Sequence, residues 1–161
     1  EAEHGRIVEG AFVAFRSDWS KRWPDQDAMR NLDENGVQQS PGWSREALEF
    51  LIHERHVKAV GHETFDTDAG IPAAEHGLVN EYYLLEQNIY QVEVLNQLDQ
   101  VPAVGALISI AFPHWDKATG SQCVQWLFYL NQNKRHRRNF QCLFLFIKRV
   151  LEVCEQRHPL H

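Results

Sequence analysis

Apolar positions along the chain fall into short blocks separated by polar, turn-rich stretches, and the period changes from block to block. Residues 11–16 read as a strand, whereas the polar stretch 24–40, with Asn35-Gly36 and the following Pro41-Gly42, reads as a loop. Ser44 stands where a helix N-cap belongs, and Ala47, Leu48, Leu51 and Ile52 then share one face of a helix over 45–54. Residues 57–60 form a short strand that delivers Gly61-His62-Glu63 at its end, and a helix follows over 79–87. Residues 89–95 alternate as a strand, with Gln91, Glu93 and Leu95 on one face and Val92 and Val94 on the other. Pro102 and Gly105 mark a turn before a strand over 106–112. Further on, Val124, Trp126 and Phe128 alternate in strand fashion, and the apolar stretch 140–153 has helical length. Strands alternating with helices in this order predict an α/β domain.

Composition agrees with a single core: 161 residues, 43% hydrophobic and 24% charged, are ordinary for a globular domain. No run of about 18 apolar residues exists to span a bilayer, and the acidic, polar start is unlike a secretory signal, so a cytoplasmic protein with no membrane partner is expected. Charge changes the picture near Gly120. Residues 1–119 carry twenty acids against nine Lys and Arg, while residues 120–161 carry two against seven, a shift in formal charge from −11 to +5. Such a break marks a segment of different origin or duty. Cys123, Cys142 and Cys154 all fall in that basic segment, at spacings that match no standard zinc pattern, and their odd number favours free buried thiols. The cluster Lys134-Arg135-His136-Arg137-Arg138 could meet phosphates, but an acidic chain repels polyanions at long range; a solvated loop, with no nucleic-acid partner, is expected.

Candidate chemistry concentrates in Gly61-His62-Glu63-Thr64-Phe65-Asp66-Thr67-Asp68, followed by Glu81 and Glu93. Acids and a histidine set among β-branched and aromatic residues are costly to bury unless a divalent metal or a polar substrate pairs with them. Glu81 and Glu93 stand twelve residues apart, one on the expected helix and one on the strand after it. Each also has a plainer reading, as an exposed helix residue and a solvent-facing strand residue. His62 either orients a substrate or a metal ligand or is a satisfied core histidine, and Asp66 and Asp68 either join it or cap the turn that follows. Trp19, Trp23 and Trp43 divide between an aromatic substrate pocket and simple packing. With no phosphate-cradling glycine loop, nucleophile elbow or Cys-His pairing in the sequence, water is the expected nucleophile.

The strings Ala11-Phe12-Val13-Ala14-Phe15-Arg16-Ser17-Asp18-Trp19-Ser20, Pro41-Gly42-Trp43-Ser44, the 62–68 run, Tyr90-Gln91-Val92-Glu93-Val94-Leu95 and Leu98-Asp99-Gln100-Val101-Pro102 occur in an order and spacing that resemble the bacterial cyclase family of metal-dependent hydrolases, which includes kynurenine formamidases and isatin hydrolases. The resemblance covers roughly two-thirds of the chain. It implies a partial swivelling β/β/α cyclase-type domain over 1–121, with 122–161 a divergent basic tail, because Gly120-Ser121 is followed by Gln122-Cys123-Val124 instead of the family's closing strand. It also implies hydrolysis of a small amide, formamide or lactam with zinc or manganese. Glu93 and His62 would be catalytic, and Glu81 and Glu93 would be metal ligands. Glu81 stands where the family often has His, and His76 becomes the alternative ligand if the alignment slips. The family's His-x-Gly-Thr-His-x-Asp motif is absent from the 161 residues, so the chain reads as a fragment lacking its first third and is expected to hydrolyse amides poorly by itself. Against this stands a non-catalytic remnant that binds a partner, or a second copy of itself, through the surface so exposed.

Overall fold

The computed structural model describes residues 1–111 throughout and, beyond them, the backbone of residues 120–128 and 145–148. Three parallel strands make the first sheet: β1 (Phe12–Phe15), β2 (Ala59–His62) and β3 (Tyr90–Val92), in the order β1-β2-β3. Phe12 lies opposite Ala59 and Phe15 opposite His62, while Ala59 pairs with Tyr90 and Gly61 with Val92. Parallel neighbours require long crossovers. The first carries α1 (Gln26–Arg30) and α2 (Arg45–Glu49), the second α3 (Gly70–His76) and α4 (Val79–Glu86). β2 is central and buried along its whole length.

Local chemistry accounts for the helix starts. The Ser44 hydroxyl accepts from the Ala47 N–H at 3.2 Å, and α2 runs on as a π turn over Phe50–Glu54. Within the stretch expected to be loop, Asp25 accepts from the N–H groups of Asp27 and Ala28, both at 3.0 Å, and so caps α1. The main core joins Leu48 and Leu51 of the α2 segment, Leu84 of α4, and Val57, Val60 and Ile89. Leu48 is fully buried there, and its truncation to Ala would cost about 2–5 kcal/mol. A smaller cluster on the other side sets Val92 and Leu95 against Phe12, Leu98 and Ile110.

A second, antiparallel sheet holds β4 (Leu107–Ala111), β5 (Gly120–Phe128) and β6 (Leu145–Lys148), with Leu107 opposite Phe128 and Gly120 opposite Lys148. The alternating segment at 124–128 is thus a strand beside β4. Over 145–148 the expected helix is overturned: Leu-Phe-Ile-Lys pairs with β5 as a strand, because an apolar run without a polar face fits either element and a long neighbouring strand offers ladder partners. The rest of 140–153, the basic cluster at 134–138, Cys142 and Cys154 lie outside the described residues. Among the described residues no helix is long and apolar enough to cross a membrane.

Candidate metal centre

Parallel strands point their carboxyl ends one way, and the segments leaving those ends carry the acids. β2 runs into Glu63 and the 64–68 loop, and β3 into Glu93. The two exits are stitched together: the His62 C=O accepts from the Leu95 N–H at 2.9 Å, and the Thr64 C=O from the Val94 N–H at 3.1 Å. Glu93 is therefore held between the β3 ladder, which ends at Val92, and the bonds of Val94 and Leu95. Val94 sits at φ 55, a left-handed conformation that is a genuine outlier for a β-branched residue, so strand alternation ends before Glu93.

Within this frame Asp66, Glu81 and Glu93 each bring one carboxylate oxygen to within 4.8 Å of the others. Glu81 is 7% exposed and Glu93 3%, while Asp66 is half-buried. Three carboxylates so close together repel one another when charged, and a divalent cation would offset that repulsion. Three carboxylates form a hard, all-oxygen donor set, which suits manganese or magnesium better than zinc with its preference for nitrogen and sulfur. The residues present fit such an ion.

Neighbouring acids have other duties. Glu63 is buried, and its carboxylate accepts from the Ser17 N–H at 2.7 Å, the Trp19 N–H at 3.2 Å, and the hydroxyls of Ser17 at 3.2 Å and Ser20 at 2.7 Å. It fastens the turn after β1 to the end of β2. Asp68 accepts from the Asn80 N–H at 2.8 Å and the Glu81 N–H at 2.9 Å, and so caps α4 from across the chain. Thr67 donates its hydroxyl to the Gln91 side-chain oxygen beneath these groups.

Of the residues singled out in the sequence, Glu81 and Glu93 meet, and Asp66, which the sequence offers as an orienting group or a turn cap and not as a ligand, is the third member. His62 is fully buried at the end of β2, outside the carboxylate group. His76 is 68% exposed at the end of α3, 3.5 Å from Glu75, and is not a member of that group either. Trp43 packs on Phe15, with ring centroids 5.5 Å apart, and Trp23 is exposed. Trp19 donates its indole N–H to the Met29 C=O at 2.9 Å and borders a cleft of about 420 Å³ with Ser17, Gln39, Ser40, Pro41 and Ala69. The roles of Glu63 and Asp68 were not legible in the sequence; the one available signal was the acidic spacing 63, 66 and 68 within a run that is otherwise apolar or hydroxylated.

Residues 1–69 match the family model described as "Putative cyclase". Over 122 residues, 75% of the chain, the sequence is 37% identical to an isatin hydrolase of Roseibium aggregatum, of which it covers 46%. Among solved structures it is similar to isatin hydrolase A from Ralstonia solanacearum, with 42% identity and a TM-score of 0.61 over 66% of this chain and 41% of that one. It is also similar to isatin hydrolase A from Labrenzia aggregata bound to benzyl benzoate, with 33% identity and a TM-score of 0.66 over 91% of this chain and 49% of that one. An isatin hydrolase bound to the product analogue thioisatinate gives a TM-score of 0.68 at 27% identity, over 92% of this chain and 49% of that one. The chain spans about half the length of the relatives it matches.

Proposed function

We propose, from the premise that this chain belongs to the cyclase family of metal-dependent hydrolases, that Asp66, Glu81 and Glu93 hold a divalent cation, manganese before zinc, in an enzyme that opens a small aromatic lactam or a related amide or formamide. The observation that carries the reading is the convergence of three carboxylate oxygens, from the 62–68 loop, α4 and the end of β3, within 4.8 Å. When bound, the cation supplies a Lewis acid that polarises a carbonyl and makes a water molecule more acidic. The chain's own groups do the rest. Glu93, fixed by the Val94 bend, has a second carboxylate oxygen with which to take the proton from the attacking water. His62 orients it indirectly, since the main-chain carbonyl of His62 holds Leu95 two residues further on. The cleft beside Trp19 and Ala69 has a volume in the range of small-molecule sites and walls suited to a flat aromatic ring, and Ala69 lies three residues from Asp66.

The family's His-x-Gly-Thr-His-x-Asp string is not found in the 161 residues, and three carboxylates alone leave a first-row metal under-coordinated. The 161-residue chain should therefore bind Mn²⁺ modestly, with one saturable site, and turn over isatin or N-formylkynurenine slowly or not at all. Titration of Mn²⁺ followed by electron paramagnetic resonance tests the site, and Glu81→Gln or Glu93→Gln should each weaken binding about tenfold or more. Wild-type affinity in both variants would end the assignment. Fast, chelator-sensitive turnover by this chain alone would refute the incomplete ligand set.

A further inference from the structure

The main chain of Glu81 is held on both sides of its Cα. Its N–H donates to the Asp68 carboxylate at 2.9 Å, and its C=O accepts from the Gln91 side-chain amide at 3.3 Å. Asp68 also receives the Asn80 N–H, at 2.8 Å to one oxygen and 3.1 Å to the other. Gln91 is in turn fixed by the Thr67 hydroxyl, and Asn80 donates its side-chain amide to the Trp43 C=O at 2.9 Å. Asp68, Thr67 and Gln91 are all buried.

This is an expensive way to start a helix. The position before α4 is Leu78, which has no side-chain cap to offer, and a Ser, Thr, Asn or Asp there would satisfy the first N–H groups locally without burying a charge. Instead the cap comes from 12 residues upstream, from the same short loop that carries Asp66. Asp66 and Asp68 are two residues apart, so the bond that holds α4 also sets the distance between Asp66 and Glu81. We infer that Asp68 is a positioning residue of the carboxylate centre: it fixes Glu81 relative to Asp66 and thereby sets the affinity for the divalent cation, beyond any contribution to folding. The inference rests on the metal reading given above.

Mn²⁺ affinity of the full 161-residue chain, measured by paramagnetic resonance alongside urea unfolding without metal, separates the two. Asp68→Ala removes both acceptor oxygens and should weaken Mn²⁺ binding about tenfold or more, and Asp68→Asn, which keeps one acceptor, should weaken it several-fold. Leu48→Ala, which removes core packing and no hydrogen bond to Glu81, should lose stability yet bind Mn²⁺ as the wild type does. If Asp68→Ala does not fold, Asp68→Asn alone decides. Wild-type Mn²⁺ affinity in folded Asp68→Asn would overturn the positioning role and leave the metal site standing. Absence of Mn²⁺ binding by the wild-type chain would overturn both.

Discussion

Removing the Glu63 side chain should destabilise the chain more than its neutralisation does, and the hydrogen bonds say by how much. In Glu63→Ala the Trp19 N–H loses its charged acceptor in a buried setting, for about 2 kcal/mol, while the Ser17 N–H, half-buried, recovers part of its bond from water at about 1 kcal/mol. The hydroxyls of Ser17 and Ser20 rotate to other acceptors and add little. The total is about 3–4 kcal/mol. Glu63→Gln retains an oxygen for both N–H groups, and its new NH₂ can donate to the Ser20 oxygen because that hydroxyl serves equally as acceptor, so the loss should be about 1 kcal/mol. Urea unfolding followed by tryptophan fluorescence reads this directly, since Trp19 lies in the fastened turn. With a slope of about 2 kcal/mol per molar urea, the Ala variant should move the midpoint down by roughly 1.5–2 M and the Gln variant by roughly 0.5 M. Equal shifts, or an Ala shift below about 0.5 M, would refute the hydrogen-bond account. Manganese affinity should be unchanged in Glu63→Gln; a loss there would mean that Glu63 belongs to the centre.

Two further outcomes are expected. A Cβ at Gly42 would fall on the backbone of Asp68 and Ala69, which cannot yield as a side-chain tip can, so Gly42→Ala should cost about 1–3 kcal/mol in urea unfolding and also weaken Mn²⁺ binding by displacing Asp68; wild-type values for both would count against the close approach. Asp18 is held at about 2, against an ordinary 3.8, by hydrogen bonds from Arg16 and then Lys21. Since the folded value is the lower one, its contribution is full above about pH 4 and drains away as pH falls towards 2, so Asp18→Asn should flatten that part of the stability profile. The group is exposed, so the effect is small and fades in high salt; an acid limb identical to the wild type's at low salt would refute it.

Local signals found the elements whose reasons are local. β1, α2 with its Ser44 cap, α4 and β4 all fall within a residue or so of their expected limits, apart from the π turn that replaces the second half of the α2 helix. Where a neighbour decides, the sequence misleads. β2 lies two residues later than the apolar pattern suggests, because Gly61-His62 resembles a strand end, yet Gly61 pairs with both β1 and β3 and His62 pairs with β1. A Cβ at Gly61 would come within 2.6 Å of Phe12 and Leu95, a crowding visible only once the strands are assembled. α3 begins Gly-Ile-Pro, which reads as loop, although Pro72 in the first turn forfeits no helical hydrogen bond. The strand over 145–148 depends on β5 in the same way.

For the site, the pairing of Glu81 with Glu93 is what the resemblance to the cyclase family implies, whose late metal-site residues stand at this spacing. The fates of Glu63, Asp66 and Asp68 could not be anticipated. All three stand in one short loop with similar neighbours, so nothing in the sequence ranks them. Their roles are assigned by N–H donors that arrive from elsewhere: the turn 46 residues upstream takes Glu63, and the start of α4, 12 residues downstream, takes Asp68. A carboxylate saturated with main-chain donors is stabilised as an anion and has little lone-pair density left for a cation. Asp66, between them, turns instead towards Glu81 and Glu93. The two acids that stay out of the three-carboxylate group thus tie down its surroundings, Glu63 at Ser17 and Trp19 beside the cleft and Asp68 at the Glu81 N–H.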